Sequence, residues 1–478
     1  MAKTQGQASN GPSHNVFRIL HDNADIFTER IFGDAIWSKQ REILHSVSVN
    51  NKTAVKSCHG AGKSFTAARA VIWYLSTRKP AEVITTAPTW RQVERILWKE
   101  IRLAWGRAIP DIQALGTCLN TELKFGDGHT AYGISTDDQD RFQGIHSPHL
   151  MVVVDEAAGV TQAIFDAIAT LGTGGEYREL LIGNPTSTNG RFYNAFQNPE
   201  LGYNCISVRA DNTPNFTGEV VPPVIARNLV TPQWSTDRAL EWGADSSLYR
   251  SRVDAEFPDG NEDNILVPLS WIEDACNRSP REDNNGVAQM GLDIARYGSD
   301  SCVMAGRVGY SLTQLDTLPG HTGSLEVEAW ARRNAQDYSA KHGKVTVMVD
   351  EGYNPGVVDH LQALNDNDIS YEAVSFGASA TNPEEHINKR NEMLWGLREL
   401  FRTGNADPDI TIPVSGPAVE RFKSQVSSIR FTYDTRLRPK LESKEDMRKR
   451  GMPSPDETDA VALAFAGGKS MALFGWGD

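Results

Sequence analysis

In the first 210 residues, continuous apolar runs alternate with segments whose apolar residues recur at the three- and four-residue spacing of a helix. Four of these runs end in small or polar residues and predict buried strands, at residues 53–55, 81–89, 150–156 and 179–187. Strands that alternate with helices are typical of a parallel sheet covered on both faces. Residues 117–135 differ from this pattern and predict a β-hairpin with its turn at residues 126–128.

Two stretches interrupt the alternation and predict the domain boundaries. Residues 1–14 are rich in Gly, Ser, Asn and Gln and predict a disordered tail, after which residues 15–210 form a first α/β domain. Residues 211–280 contain several prolines and predict a lid or linker subdomain. Residues 281–478 form a second α/β domain, in which an early strand and a later one carry acidic residues.

An eight-residue stretch after the first strand predicts a loop that holds nucleotide phosphates. Its residues are Ser57, Cys58, His59, Gly60, Ala61, Gly62, Lys63 and Ser64. Small residues let backbone N–H groups wrap the phosphates, while Lys63 reaches the β and γ oxygens and Ser64 ligates Mg²⁺. The full pattern has a glycine at position 57, so Ser57 is a departure from it. The alternative is a glycine-rich turn with a solvated lysine.

Acidic and polar residues elsewhere in the first domain complete a predicted ATP site. Asp155 and Glu156 follow five apolar residues at the carboxyl end of a strand, where open α/β sheets place their sites. Asp155 would hold Mg²⁺ through water and Glu156 would act as general base. Gln40 could recognise adenine, because its amide both donates and accepts hydrogen bonds. Arg141 could stabilise charge in cis or from a neighbouring subunit. Ordinary solvated side chains are the alternative for each.

Acidic residues of the second domain predict a two-metal nuclease site. Asp293 and Asp350 lie on separate strands, and Asp456 and Asp459 are three residues apart on one helix face. Two Mg²⁺ or Mn²⁺ ions about 3.5–4 Å apart, held by carboxylates, activate water and stabilise the leaving oxygen. Unrelated acids at strand ends are the alternative. Basic residues between 430 and 450 predict a hairpin that positions a phosphate backbone, or else a solvated hairpin.

Net charge, cysteine spacing and the lengths of apolar runs limit the classes of protein to which this chain could belong. The 478-residue chain has a net charge of −13, which does not exclude DNA, because DNA responds to local basic faces. The five cysteines lack C-x-x-C spacing and are expected to be free thiols in a reducing cytoplasm. No apolar run is long enough for a transmembrane helix, and residues 1–13 lack the apolar core of a signal peptide. We therefore expect no membrane association.

Taken in chain order, these motifs resemble the large terminase subunit of tailed bacteriophages. The elements that carry the resemblance cover nearly the whole chain: Trp37, Gln40, residues 62–64, 86–89, 154–156 and 183–185, Asp293, Asp350 and residues 454–460. The resemblance implies a P-loop NTPase domain with a mainly parallel sheet, followed by an RNase H-like α/β nuclease domain. It also implies that Asp293, Asp350 and Asp459 ligate the nuclease metals, with Asp456 supporting or substituting.

The resemblance also implies a biological role. The chain is expected to move double-stranded DNA into a procapsid with ATP, and to cut concatemeric DNA. Its expected partners are DNA, a small terminase subunit and the portal protein of the procapsid. A homo-oligomeric ring is expected during packaging, although the isolated chain could be monomeric. The expected location is the host cytoplasm, transiently at the portal and not in the mature virion. The family often has Arg-Gly before the acidic strand; here residues 143–144 are Gln-Gly, which leaves the role of Arg141 open.

Three other functions fit parts of the pattern. One is a helicase-like or repair ATPase whose second domain only binds nucleic acid. Another is a metal-dependent nuclease or recombinase that uses ATP as a switch and has no packaging role. A virion structural protein with vestigial motifs is the third, and the presence of Lys63 and all the acids argues against it. Metal-dependent DNA cleavage separates the first from a terminase, and DNA packaging separates the second.

Overall fold

The computed structural model of the protein describes most of the chain. The described residues are 12–135, 142, 145–172, 174–258, 264–280, 286–295, 301–319, 322–352, 355–364, 366–402 and 410–466. The chain forms two compact units, one of Met1–Thr236 with Arg250–Pro258, the other of Asp237–Tyr249 with Asp259–Asp478. Residues 211–280, expected as a separate subdomain, are shared between these units, and the expected boundaries stay predictions.

The first unit contains an eight-stranded, mainly parallel sheet. Its strands are β1 (Lys52–Ser57), β2 (Glu82–Thr86), β3 (Thr117–Cys118), β4 (Glu122–Gly126), β5 (His129–Gly133), β6 (His149–Asp155), β7 (Glu176–Gly183) and β8 (Asn204–Val208). Their spatial order is β3-β4-β5-β2-β6-β7-β1-β8, and β4 pairs antiparallel with both β3 and β5. The described part of the chain thus confirms the predicted parallel sheet and the predicted hairpin.

Helices precede the first strand of this sheet, connect several of its strands and follow the last one. They are α1 (Pro12–Asp22), α2 (Ala24–Phe32), α3 (Ser38–Val49), α4 (Lys63–Thr77), α5 (Trp90–Gln92), α6 (Trp98–Arg107), α7 (Pro110–Gln113), α8 (Gln162–Ala169), α9 (Gly190–Gln197), α10 (Pro214–Thr217) and α11 (Pro223–Ala226). Between α5 and α6 the chain makes a π-helical turn, Val93–Leu97. The apolar residues of 15–33 recur at steps of three and four, which predicts one helix, but the segment forms two helices, because Asn23 is extended and interrupts it. The first of them begins at Pro12, inside the predicted tail.

The second unit contains a five-stranded sheet and a separate hairpin. Its strands are β9 (Ala288–Asp293), β10 (Ser301–Val308), β11 (Ser311–Pro319), β12 (Val345–Asp350) and β13 (Ile369–Val374), with the hairpin β14 (Phe431–Tyr433) and β15 (Pro439–Leu441). The sheet order is β11-β10-β9-β12-β13, in which β12 is parallel to both its neighbours and β10 is antiparallel to both of its own. The fold class predicted from the sequence is confirmed.

The remaining helices follow α11 along the chain, and the first three of them precede β9. They are α12 (Pro232–Trp242), α13 (Ser247–Arg252), α14 (Leu269–Asn277), α15 (Ser324–His342), α16 (Pro355–Ala363), α17 (Lys389–Phe401), α18 (Pro417–Val426), α19 (Lys444–Lys449) and α20 (Asp456–Phe465). Every residue of α20 is buried, and a Cβ at Gly291 of β9 would overlap the carbonyl oxygen of Ala460. The missing side chain at Gly291 therefore lets α20 lie directly on the sheet. None of the described helices combines the length and apolarity needed to cross a bilayer.

Candidate nucleotide and nuclease sites

The loop between β1 and α4 has the backbone shape of a phosphate-binding loop. Gly60 and Gly62 have φ angles of 64° and 81°, which residues with a Cβ rarely adopt. Ser57 is buried at the end of β1 and is not among the residues with positive φ. The position where the motif has its first glycine therefore does not require one here, and the departure at Ser57 leaves the loop unstrained.

The amides at the start of this loop are already used by the protein. The Cys58 N–H donates to the carbonyl oxygen of Val208 at 2.8 Å, and the His59 N–H donates to that of Arg252 at 2.8 Å. A phosphate would then be met by the N–H groups of residues 60–64, at the amino end of α4, where backbone donors and the helix dipole favour an anion. The N–H groups of Cys58 and His59 thus help to shape the loop, and the predicted contact of these two residues with nucleotide stays a prediction.

Lys63 and Ser64 face the acidic end of β6. The Lys63 ammonium donates to Asn184 Oδ1 at 3.2 Å and lies 3.7 Å from a carboxylate oxygen of Glu156. Ser64 Oγ donates to Asp155 Oδ2 at 3.0 Å. Strand β1 pairs with β7, and β7 pairs with β6, so the loop and the acids lie at one edge of the sheet. Four of the predicted residues are thereby brought together.

Burial affects the charge of Asp155 in this acidic pair. Desolvation, and then repulsion from Glu156, raises the pKa of Asp155 to about 6, against the lowering effect of Lys63. Glu156 is a third exposed and has a φ of 48°, a left-handed conformation that is uncommon for a residue with a side chain. The Asn184 N–H donates to its Oε2 at 3.4 Å. A buried carboxylate next to a hydroxyl group suits Mg²⁺, which takes oxygen ligands.

Gln40 is also at this loop. It is buried at the start of α3, and a Cβ at Gly62 would lie 2.6 Å from its Nε2. Its Oε1 accepts from the Trp37 N–H at 3.4 Å. The side chain thus touches the phosphate-binding loop, and its predicted contact with adenine stays a prediction. Arg141, together with residues 143 and 144, lies outside the described residues.

The four predicted nuclease acids converge in the second unit. Asp293 ends β9 and Asp350 ends β12, and these neighbouring strands are parallel. Asp456 and Asp459 are in the first turn of α20, which packs on both strands. All four are buried, with exposed fractions of 6% or less.

Burial and mutual repulsion shift the pKa values of these carboxylates. Burial raises the pKa of Asp293 well above its usual range, and repulsion from Asp459, Asp456 and Asp350 adds to it, while Lys444 opposes it. Burial likewise raises the pKa of Asp350 to about 6, against a hydrogen bond from the Gly352 N–H. Clustered like charges in a buried site favour the neutral form.

Two cations offset part of this negative charge. The Lys444 ammonium lies 2.7 Å from Asp459 Oδ2 and 3.8 Å from Asp456 Oδ1. Arg390 Nη2 lies 3.1 Å from Asp459 Oδ1. Burial alone would raise the pKa of Asp459, but these two cations hold it below its usual value.

The four carboxylates do not surround a common point at which a metal ion could bind. Among the described residues, no three Asp, Glu, His or Cys side chains are arranged so that they could hold a metal ion as they stand. The positive charges next to Asp459 are the Lys444 ammonium and the Arg390 guanidinium. The donor set itself, several carboxylates in a buried cluster, is the kind that Mg²⁺ and Mn²⁺ prefer.

Comparisons with known proteins show what the whole chain is similar to. The chain is 27% identical over 457 residues to a "Probable terminase, large subunit" of Enterobacteria phage P7, covering 91% of this chain and 89% of the phage protein. This chain is related to large terminase subunits. The resemblance predicted from the sequence is thereby confirmed. No family model matches the chain.

Solved terminase structures also align with the chain. The large terminase from a thermophilic bacteriophage, in complex with ADP, covers 90% of this chain with all of its own length, at 14% identity and a TM-score of 0.40. The nuclease domain of the large terminase subunit gp2 of bacterial virus Sf6 covers 43% of this chain with 99% of its own, at 15% identity and a TM-score of 0.36.

Two basic residues that contact the nuclease acids of this chain were not predicted from the sequence. Arg390 was not singled out, and Lys444 was counted only among the basic residues between 430 and 450. The signal for Lys444 was its position twelve residues before Asp456, but only the fold shows that it points at the acids. At least four of the eight basic residues in that stretch form ion pairs within the described part of the chain, which weakens the predicted phosphate contact. They are Arg438, Lys444, Lys449 and Arg450.

Proposed function

We propose that this protein is the large subunit of a DNA-packaging terminase, with an ATPase in its first unit and an endonuclease in its second. The observation that carries the proposal is the presence, in one chain, of a phosphate-binding loop facing Asp155 and Glu156 and of a buried cluster of four aspartates. The relative in phage P7, a probable terminase large subunit, matches across both.

In the ATPase, the loop and the acids have separate tasks. The N–H groups of residues 60–64 bind the phosphates, and the Lys63 ammonium exchanges its contacts with Asn184 and Glu156 for the γ-phosphate oxygens. Ser64 and Asp155 hold the Mg²⁺ that accompanies ATP, which neutralises charge on the phosphates. The Glu156 carboxylate, released by Lys63, accepts a proton from the attacking water.

In the nuclease, the aspartates hold divalent cations. Asp293, Asp350 and Asp459 are the proposed ligands, and Asp456 supports them. When bound there, Mg²⁺ or Mn²⁺ would supply activation of water and stabilisation of the leaving oxygen of the phosphodiester. The Lys444 ammonium, 2.7 Å from Asp459 and 3.8 Å from Asp456, would compete with a bound cation for these carboxylates. Arg390 keeps Asp459 ionised and oriented through its ion pair.

The partners and location follow from this proposal. The chain acts on double-stranded DNA in the host cytoplasm, as a ring at the portal of a procapsid, with a small terminase subunit. Concatemeric DNA is the substrate of the nuclease, and ATP hydrolysis moves the DNA.

Packaging of DNA into purified procapsids is the experiment that tests the proposal. We expect DNA to become resistant to added DNase when ATP, procapsids and the chain are present together, and we expect Mn²⁺-dependent cleavage of plasmid DNA without ATP. Cleavage without packaging would favour a recombination-type nuclease. ATP-dependent DNA binding without cleavage would favour a helicase-like protein.

A further inference from the structure

The helical segment after β2 carries a row of basic residues. Arg91, Arg95 and Lys99 are four residues apart, and this spacing places them on one face. All three are exposed, and within the described part of the chain none has a hydrogen-bond or ion-pair partner. At the rise of a helix the row spans roughly 12 Å. We call these three residues the basic row.

Acidic residues of the same segment do not neutralise the basic row. Glu94 accepts a hydrogen bond from Asn120 Nδ2 at 2.6 Å. Glu100 lies 3.8 Å from Arg69 Nη1, whose partner Asp34 is buried. Both carboxylates are therefore engaged with neighbouring elements. The surface at the basic row is locally positive although the whole chain carries a net charge of −13.

The opposite face of the segment packs on the sheet. Trp98 Nε1 donates to Thr85 Oγ1 of β2 at 2.8 Å, and Trp98 is fully buried. A Cβ at Gly133 of β5 would lie 2.7 Å from Val93 Cγ1 and 3.0 Å from Trp98 Nε1. The close packing at Gly133 places Val93 and Trp98 against the sheet, which leaves the basic row on the exposed face of the segment.

The middle of the segment has a non-standard helical turn. Residues Val93–Leu97 form a π-helical turn between α5 and α6, and Arg95 lies within it. Such turns are rare, occur mostly as single turns inside α-helices, and are frequent at functional sites. A π turn holds one residue more than an α turn. Its conversion to α would rotate and shift the residues on one side of it relative to the other, and Arg95 and Lys99 with them.

A series of close contacts connects Glu156, the proposed general base, to the helical segment after β2. Glu156 is followed by the turn Ala157–Gly159, and a Cβ at Gly183 would lie 2.9 Å from the Ala157 nitrogen. A Cβ at Gly159 would lie 2.9 Å from Pro88 Cγ. Thr89, the next residue, caps the segment by accepting from the Gln92 N–H at 3.2 Å. These contacts would transmit a movement of Glu156 or of its turn to the start of the helical segment after β2.

We propose that the basic row Arg91, Arg95 and Lys99 binds the phosphate backbone of double-stranded DNA, and that the π-helical turn Val93–Leu97 changes the position of the row with the nucleotide state. The inference rests on the proposed function and names a DNA-contacting surface of the ATPase unit. Charge complementarity selects the partner, because DNA carries one negative charge for about every 1.7 Å of its axis.

A triple substitution tests the surface. Arg91→Gln, Arg95→Gln and Lys99→Gln are combined in the full-length chain, and the matched control combines Arg30→Gln, Arg227→Gln and Lys79→Gln, which are exposed in the same unit. Anisotropy of a labelled 30-base-pair duplex is measured from 50 to 300 mM salt. We expect the control to resemble the wild type. The basic-row variant should bind at least tenfold more weakly at 50 mM salt, with a slope of log affinity against log salt reduced by about 2–3.

Enzyme assays separate this inference from the proposed function. ATP hydrolysis without DNA should be unchanged in the basic-row variant, and its stimulation by DNA should be lost. An unchanged salt slope, or an equal loss in both triple variants, would overturn the inference while leaving the terminase proposal intact. Loss of procapsid binding with intact DNA affinity would instead assign the basic row to an acidic protein partner. A wild-type chain that hydrolyses ATP but never packages DNA contradicts the proposed function, whatever the anisotropy shows.

Deletion of Ile96 tests the π-helical turn. This residue is exposed, and its removal allows Val93–Leu97 to become α-helical while the flanking residues keep their packing. We expect the DNA affinity of the wild type to differ between ADP and a non-hydrolysable ATP analogue, and that of the deletion variant to be equal in both. Hydrogen exchange of residues 93–97 in the wild type provides a second measurement. Identical exchange in the two nucleotide states would show that the turn does not move.

Discussion

The Lys444 ammonium lies 2.7 Å from Asp459 Oδ2, inside a cluster of buried aspartates. A lysine here supplies the positive charge that the cluster needs in the absence of a divalent cation. Its pKa is raised, because the attraction of Asp459 and Asp293 exceeds the lowering effect of burial. The ion pair and a bound metal therefore serve the same carboxylates, and removal of one should increase the need for the other.

Lys444→Met should make the fold depend on divalent cations. Without metal, loss of a buried ion-pair partner should lower the free energy of unfolding by about 3 kcal/mol. Added Mn²⁺ should restore more stability to this variant than to the wild type. Urea unfolding in EDTA and in 5 mM Mn²⁺ measures both effects. Lys449→Met, in the same short helix but exposed, is the control. Equal responses to Mn²⁺ in all three proteins would contradict the shared role.

Asp350→Asn should change how stability depends on pH. The pKa of Asp350 is raised to about 6 in the folded protein, from 3.8. Between pH 4 and pH 6 the folded state thus holds a proton that the unfolded state has lost. The group therefore contributes stability below pH 4 that is lost as the pH rises through 6, at up to about 1.4 kcal/mol per pH unit. The asparagine variant lacks this contribution.

Unfolding experiments in EDTA, from pH 4 to pH 7, measure this effect. We expect the wild type to lose stability more steeply than Asp350→Asn over that range, and we expect the variant to be the more stable protein at pH 7. Asp359→Asn, at an exposed position of α16, should follow the wild type. Parallel pH profiles of the wild type and Asp350→Asn would show that the carboxyl group is already ionised in the folded state.

The acids at strand ends were predictable from the sequence, and their cationic partners were not. Asp155 and Asp350 each follow a run of apolar residues, and parallel strands bring such ends to one edge of a sheet. Lys444 and Arg390 lie in charged segments that resemble solvated surface. Their direction depends on how α17 and α19 pack, which no local pattern encodes. The break at Asn23 was missed because the apolar spacing continues across it.

Gly291→Ala should impair the nuclease without affecting the ATPase. The added methyl group would overlap the carbonyl oxygen of Ala460, so α20 must move away from β9. Overpacking of this kind costs about 1–3 kcal/mol, and it displaces Asp456 and Asp459 from the strand acids. Plasmid cleavage in Mn²⁺ should fall at least tenfold, while ATP hydrolysis is retained. Gly377→Ala, where the new methyl group meets no atom within 4 Å, should cleave like the wild type.

Glu156→Gln should abolish ATP hydrolysis and preserve nucleotide binding. The glutamine keeps the size of the side chain but cannot accept the proton of the attacking water, so turnover should fall by roughly 10²–10⁴-fold. Binding should persist, because the loop amides, Lys63 and Ser64 are unchanged. A fluorescent ATP analogue measures affinity, and phosphate release measures turnover. Glu200→Gln, at an exposed turn, is the control. If Glu156→Gln hydrolyses ATP at the wild-type rate, the general base is another residue.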